Sequence, residues 1–248
     1  MEKYDWIGRG YASVRRADPR LAAPIWSALG DAQIVVNVGA GTGSYEPSDR
    51  FTVAVEPSYV MISQRAEDAA PAINAVAEAL PLGDRSVDAA LGVFTIHHWN
   101  DLETGLGEML RVARRRIVLL TMEVDAIRDL WIVRDYLPET LAVHADAFPT
   151  IDWLLETLPN ASVETIPVPH DCTDGFMAAF WARPEAYLDP EIRKATSAWH
   201  QLPPEVTTRA LTRLQEDLDG REWDRRYGHL RNRRSLDVGL RLVCSELS

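Results

Sequence analysis

The chain has 248 residues, 46% of them hydrophobic, and carries a formal net charge of -11 with a pI near 5.0. That length and apolar content are enough to bury a full core, which excludes a disordered chain. The acidic balance repels phosphate backbones, and the basic runs "RRR" (114–116) and "RNRR" (231–234) are too short to offset it, so no nucleic-acid partner is expected. No window approaches the roughly 18 apolar residues of a membrane span, and the opening "MEKYDWIGRG" lacks a basic region followed by an apolar run. We therefore expect a soluble, cytoplasmic protein with no membrane partner. Cys172 and Cys244 have neither Cys-x-x-Cys spacing nor a histidine at ligand spacing, so no metal site is expected.

In chain order, "DPRLAAPIWSAL" (18–29) predicts a helix with an Asp N-cap and Pro in its first turn. "AQIVVNVG" (32–39), "FTVAVEP" (51–57), "AINAVA" (72–77), "VDAALGVF" (87–94) and "RIVLLTM" (116–122) are short β-rich runs, mostly apolar on both faces, as strands covered by helices on both sides must be. Between them "SYVMISQRAE" (58–67) opens with Ser, and "DLETGLGEMLRVA" (101–113) places Leu102, Leu106, Met109 and Leu110 on one stripe, so both predict helices. This alternation predicts a doubly wound α/β layer with a parallel sheet.

Beyond residue 123 the rhythm changes. Helices are predicted over 129–140 and 150–158 and a strand over 162–169. A Trp- and Arg-rich stretch follows with helical patterns at 173–182, 189–200 and 204–219, before "SLDVGLRLVCSE" (235–246) alternates as a last strand. The mixed charge of 170–235, its lack of a Gly/Ser linker and the absence of a repeat make it a cap inserted before that strand. The expected organisation is one domain over 1–248. It comprises an N-terminal lid and helix (1–30), a cofactor-binding core (31–169), a helical cap (170–235) and the last core strand (236–248).

The chemistry concentrates in "VVNVGAGTGSYEP" (35–47). A glycine-rich turn after the first strand lets backbone approach a ligand. The dinucleotide fingerprint needs a third glycine where this chain has Ser44. A Walker loop needs Gly-Lys-Ser/Thr, yet no lysine stands between residues 4 and 193. The glycines are instead Gly39, Gly41 and Gly43. This G-x-G-x-G form resembles the first motif of class I S-adenosylmethionine-dependent methyltransferases. Glu56, closing the second strand in "VAVEPS", is placed to accept bonds from two ribose hydroxyls. "AVAEALPLGDRSVDAALGVFTIHHW" (75–99) and "EMLRVARRRIVLLT" (108–121) resemble the family's stretch from adenine pocket to fifth strand, so that the resemblance covers roughly residues 30–125.

The resemblance implies a Rossmann-like seven-stranded sheet, here with a mainly helical cap before the last strand. It implies S-adenosylmethionine as cofactor, S-adenosylhomocysteine as product and methyl transfer to a small-molecule acceptor. It places Asn37, Gly39, Ala40, Gly41, Glu56, Pro57, Ala77, Glu78, Ala79 and Phe94 around the cofactor. "YASVRRADPR" (11–20) resembles the Tyr-x-x-x-Arg segment that folds over it, which would bring Tyr11 and Arg15 to the methionine carboxylate; a surface arginine is the competing reading for Arg15. Asn37 stands where the family usually has an acid, so either cofactor affinity is lower or another acid compensates.

His97 and His98 follow the fourth strand at the carboxyl edge, where either imidazole could take a proton from the acceptor or simply order its loop. Two alternatives to methyl transfer stand beside it: a methyltransferase fold catalysing another reaction, such as cyclisation or elimination, and a non-catalytic partner. The oligomeric state is expected to be monomer or homodimer.

Overall fold

The computed structural model describes residues 14–144, 147–194 and 196–247. Its seven-stranded sheet has the order β3-β2-β1-β4-β5-β9-β6. The strands are β1 (Ile34–Val38), β2 (Phe51–Val55), β3 (Ala72–Ile73), β4 (Val87–Val93), β5 (Ala113–Met122), β6 (Ala161–Thr165) and β9 (Leu240–Glu246). Neighbours β3, β2, β1, β4 and β5 pair in parallel, while β9 runs antiparallel between β5 and β6. Because β1 turns over to β2 on one side and β4 on the other, the ends of these three strands open a crevice at the carboxyl edge, the usual ligand position in such sheets.

Helix α1 (Pro19–Ala28) starts where predicted: Asp18 is its N-cap, accepting from the Arg20 amide at 2.9 Å, and Pro19 occupies the first turn. Helix α3 (Leu102–Val112) is capped by Asp101, which accepts from the Thr104 amide at 3.0 Å, and buries Leu106, Met109 and Val112. The predicted helix over 58–67 is only one turn, α2 (Tyr59–Ile62), because Arg65 folds back beneath the glycine loop to donate to the Gly41 carbonyl at 3.1 Å. The strand predicted over 72–77 pairs only at Ala72–Ile73. Asn74 then turns to donate its amide to the carbonyls of Glu56 and Pro57.

A short helix that was not predicted, α4 (Val124–Arg128), comes first, and the helix predicted over 129–140 gives way to a π-turn (Ile132–Tyr136) and α5 (Glu139–His144). Pro138 lacks the amide that continuation requires. Helix α6 (Ile151–Thr157) matches its prediction. The strand predicted over 162–169 splits into β6 and β7 (Val168–Pro169), and that over 235–246 into β8 (Ser235–Leu236) and β9. β7 and β8 form a separate ribbon, and Gly239, at φ +91°, makes the bend between β8 and β9.

The segment between β7 and β8 is mainly helical: 3-10 turns at Met177–Phe180 and Pro184–Leu188, then α7 (Pro190–Lys194), α8 (Ser197–His200), α9 (Pro204–Asp219) and α10 (Glu222–Tyr227). Its tryptophans are core. Trp181 and Trp223 are fully buried, and one apolar cluster runs from Val35, Ala89 and Val118 of the sheet into Trp131, Tyr187 and Leu214. Hydrogen bonds from Trp131 Nε1 to the Trp181 carbonyl (2.7 Å) and from Trp181 Nε1 to the Val168 carbonyl (3.1 Å) tie this segment to the start of the π-turn and to β7.

Candidate active site

The glycine loop takes shape from close approach. Gly39, Gly41 and Gly43 all have positive φ (+67°, +54° and +88°), a region side chains rarely adopt. A Cβ on Gly43 would lie 2.9 Å from Glu46 Oε2, so the third glycine makes room for an ion pair beneath the loop. Glu46 and Arg65, both nearly buried, meet at 2.7 Å, and Arg65 also donates to the Ala70 carbonyl. Asn37 joins them by donating Nδ2 to Glu46 Oε1 at 3.1 Å. The acid that Asn37 contacts is thus Glu46. Its charge is answered by Arg65, and the buried Asn37 Oδ1 is a neutral acceptor with no hydrogen-bond partner among the described residues.

Glu56 is buried at the end of β2 and binds two backbone amides, accepting from Gly41 at 2.8 Å through Oε2 and from Ser58 at 2.9 Å through Oε1. It thus fixes the loop as well as bordering the cleft. Across the cleft, Phe94 has φ +53° after β4 and Trp99 donates Nε1 to Thr95 Oγ1 at 3.1 Å. Glu78 Oε1 accepts from the amides of Asn100 and Asp101 (2.7 and 3.1 Å), tying the 75–80 turn to the start of α3. The Trp99 ring lies against Gly105, where a Cβ would fall 2.4 Å from Cε3.

These residues surround an open cleft of about 1090 Å³. Arg15, Asn37, Gly39, Ala40, Gly41, Glu56, Pro57, Ala77, Glu78, Phe94 and His98 all line it. Ala79 is not in its wall, its amide being turned to the Val76 carbonyl, and Tyr11 lies outside the described residues. A second cavity of about 750 Å³ adjoins the first and shares Arg15, Phe94 and His98 with it. Its wall combines His97 with Met122, Ile127, Leu130, Val133, Thr140 and Phe148 and with Phe176, Met177, Ala178 and Ala198. His97 stacks on Phe148 with centroids 4.1 Å apart and planes 16° apart, and its centroid lies 3.8 Å from that of His98.

Arg15 stands at the partition between the two. Its Nε donates to Asp174 Oδ1 at 2.6 Å, Tyr45 donates its hydroxyl to Asp174 Oδ2 at 2.8 Å, and the Arg15 guanidinium lies 5.5 Å from the Phe94 centroid. Burial, reinforced by the Asp174 charge, pushes the Tyr45 phenol far above its ordinary range, so it stays a donor. The Gly175 amide donates to the Val14 carbonyl, and a Cβ there would fall 2.3 Å from Val14 Cγ1; the cap is thereby laced to the segment before α1. Sequence reasoning missed Thr42, Ser44, Tyr45, Met61, Thr95 and Asn100 in the wall and the Glu46–Arg65 pair beneath it. For Asp174 the signal was the turn-forming "DCTDG". Among the described residues, no three His, Cys, Asp or Glu side chains gather as a metal cluster, and no helix is long and apolar enough to cross a membrane.

A family model described as a methyltransferase domain matches residues 36–120. A candidate methyltransferase from an antibiotic biosynthesis pathway of Anabaena variabilis has a solved structure 32% identical in sequence; the match covers 95% of this chain and 100% of that one, with a TM-score of 0.88. The chain belongs to the class I S-adenosylmethionine-dependent methyltransferases. The methyltransferase fold is shared at lower identity with YcgJ from Bacillus subtilis (15%, 92% of this chain, 97% of that chain, TM-score 0.53). It is shared also with geranyl diphosphate C-methyltransferase from Streptomyces coelicolor (12%, 92% and 78%, TM-score 0.52), whose solved complex holds S-adenosylhomocysteine, Mg2+ and geranyl diphosphate. No curated protein matched. The methyltransferase is an enzyme that uses S-adenosylmethionine as cofactor.

Proposed function

We propose that this enzyme methylates a small molecule seated in the second cavity, with the cofactor held in the first. The observation that carries this reading is the shared wall: Arg15, Phe94 and His98 border both spaces. The residues present suit the cofactor. The left-handed glycine loop leaves room for backbone approach, Asn37 Oδ1 is a buried acceptor with no donor among the described residues, and the Glu56 carboxylate in the cleft wall is the kind of group that accepts bonds from hydroxyls. Ala77 and Glu78 would border the adenine, and Arg15 the methionine end. When bound, the cofactor supplies an electrophilic methyl on a sulfonium, so the protein's main tasks are alignment and exclusion of water.

Met122, Ile127, Leu130, Val133 and Phe148 on one side and Phe176, Met177 and Ala178 on the other line the acceptor side with apolar groups. His98, bordering both cavities, takes the acceptor's proton as the methyl is transferred. His97, stacked on Phe148, holds the loop and the acceptor wall. Incubating the protein with methyl-labelled S-adenosylmethionine and a library of small metabolites tests the reading. Label should pass to an organic product with release of S-adenosylhomocysteine; labelled macromolecules with no labelled metabolite would contradict it. Calorimetry should show S-adenosylhomocysteine binding in the micromolar range and far more tightly than NAD.

A further inference from the structure

Resting on that reading, one carboxylate of the 171–175 turn bears on the cofactor cleft. We propose that Asp174 is a positioning residue that sets the Arg15 guanidinium for the carboxylate of the cofactor's methionine arm. Asp174 is 1% exposed. Its Oδ1 accepts from Arg15 Nε at 2.6 Å, and its Oδ2 accepts from Arg15 Nη2 at 3.4 Å and from the Tyr45 hydroxyl at 2.8 Å. Arg15 and Tyr45 both line the first cleft, so one residue from between β7 and β8 holds two side chains of the cofactor site.

A guanidinium is a rigid plane of five N–H donors, so a carboxylate that engages Nε and one Nη fixes where the rest of the plane points. Each end of the contact is itself held. Ser44, at the end of the glycine loop, donates its hydroxyl to the Arg15 carbonyl at 3.2 Å and ties the Arg15 backbone to that loop. The guanidinium lies 5.5 Å from the Phe94 centroid, and the Tyr45 ring meets Phe94 edge-on at 6.3 Å and 62°. On the other side, the Thr173 amide donates to Asp18 Oδ2, the Gly175 amide to the Val14 carbonyl and the Thr196 hydroxyl to the Gly175 carbonyl. The residues flanking Asp174 are thereby pinned before and after it. A long side chain ordered in advance does not lose that freedom when a ligand arrives. The Asp174 charge also gives the nearly buried guanidinium, 12% exposed, the partner that a desolvated cation requires.

The experiment titrates two ligands into the full chain by calorimetry: S-adenosylhomocysteine, and 5′-methylthioadenosine, which keeps the adenosine and sulfur but lacks the amino acid arm. The ratio of their affinities reads the amino acid end alone. Asp174→Ala should lower that ratio by about tenfold or more, the size of a lost charge-assisted hydrogen bond, with 5′-methylthioadenosine affinity within about threefold of the unaltered chain. Asp174→Asn keeps the shape and one acceptor and should lose less, about threefold; it carries the test if Asp174→Ala does not fold. In an Arg15→Met chain the ratio should already be low, and adding the Asp174 change should alter it by less than about twofold. An unchanged ratio in a folded Asp174 variant, equal weakening of both ligands, or the same loss with and without Arg15 overturns the inference. If S-adenosylhomocysteine binds no better than 5′-methylthioadenosine in the unaltered chain, or Arg15→Met leaves the ratio unchanged, the placement of Arg15 at the methionine end fails first and the inference with it, which tells the two failures apart.

Discussion

The hydroxyl of Thr95 stands 1.7 Å from where a Cβ on Gly39 would begin, so the turn after β1 and the turn after β4 fill one another's space. Gly39→Ala adds this collision to a left-handed backbone that costs about 1–2 kcal/mol for an L-residue. We expect a loss of about 2–5 kcal/mol in chemical denaturation. In a double-mutant cycle with Thr95→Gly, the pair should be at least about 1 kcal/mol less destabilised than the sum of the single changes. Strict additivity would mean that the two turns do not meet.

Asn37→Asp tests how this chain manages without the family's usual acid. The new carboxylate would stand in place of an amide that now donates to Glu46 Oε1 at 3.1 Å, so a hydrogen bond becomes a like-charge contact in a buried site. Stability at neutral pH should fall by about 1–3 kcal/mol. Glu46→Gln in the same chain should recover most of that loss, since an acid then has Arg65 to itself. Equal or greater stability of Asn37→Asp alone would show that the Glu46–Arg65 pair does not occupy this role.

Glu56→Ala removes the acceptor for the Gly41 and Ser58 amides together with any bonds to the ribose. Each bond between a neutral donor and a charged acceptor contributes about 1.5–3 kcal/mol. S-Adenosylhomocysteine affinity measured by calorimetry should drop at least tenfold. An unchanged dissociation constant would place the ribose elsewhere.

Asp18 links acid stability to the cap. Its buried carboxylate caps α1, accepts from Arg20 and receives the Thr173 amide at 2.9 Å, and the Arg20 hydrogen bonds hold it well below the ordinary carboxylate range. A depressed folded-state value contributes stability that is present above the unfolded value, near 3.9, and is lost as pH falls toward the folded one. Arg20 is half-exposed, so its share is discounted for solvent screening. Asp18→Ala should cost about 1–2 kcal/mol at neutral pH, mostly from the cap and the Thr173 amide. The gap between the two proteins should narrow below about pH 4. A pH-independent gap would contradict the ionic part of this account.

The parallel sheet and the glycine turn after its first strand were legible because their signals are local. Apolar runs marked β1, β2, β4 and β5, and the spacing of Gly39, Gly41 and Gly43 marked the turn. What escaped were partnerships formed across long stretches of chain. Glu46 meets Arg65 just beyond the single turn of α2, and Asp174 meets Arg15 across 159 positions. Charged residues of this kind read as ordinary surface groups until the fold buries them. Secondary structure failed for a related reason: Asn74 left the β3 pairing to bind the Glu56 and Pro57 carbonyls, a tertiary contact that no hydrophobic periodicity records.

The central claim is that the methyl donor in the first cleft faces an acceptor in the second cavity across the partition of Arg15, Phe94 and His98. A crystal structure of the full chain with S-adenosylhomocysteine tests it most directly. The account predicts ribose hydroxyls on Glu56, the amino acid end beside Asn37 and Arg15, and the sulfur at that partition, open toward Phe176 and Met177. A ligand bound outside the glycine loop, or one whose sulfur is walled off from the second cavity, would contradict it.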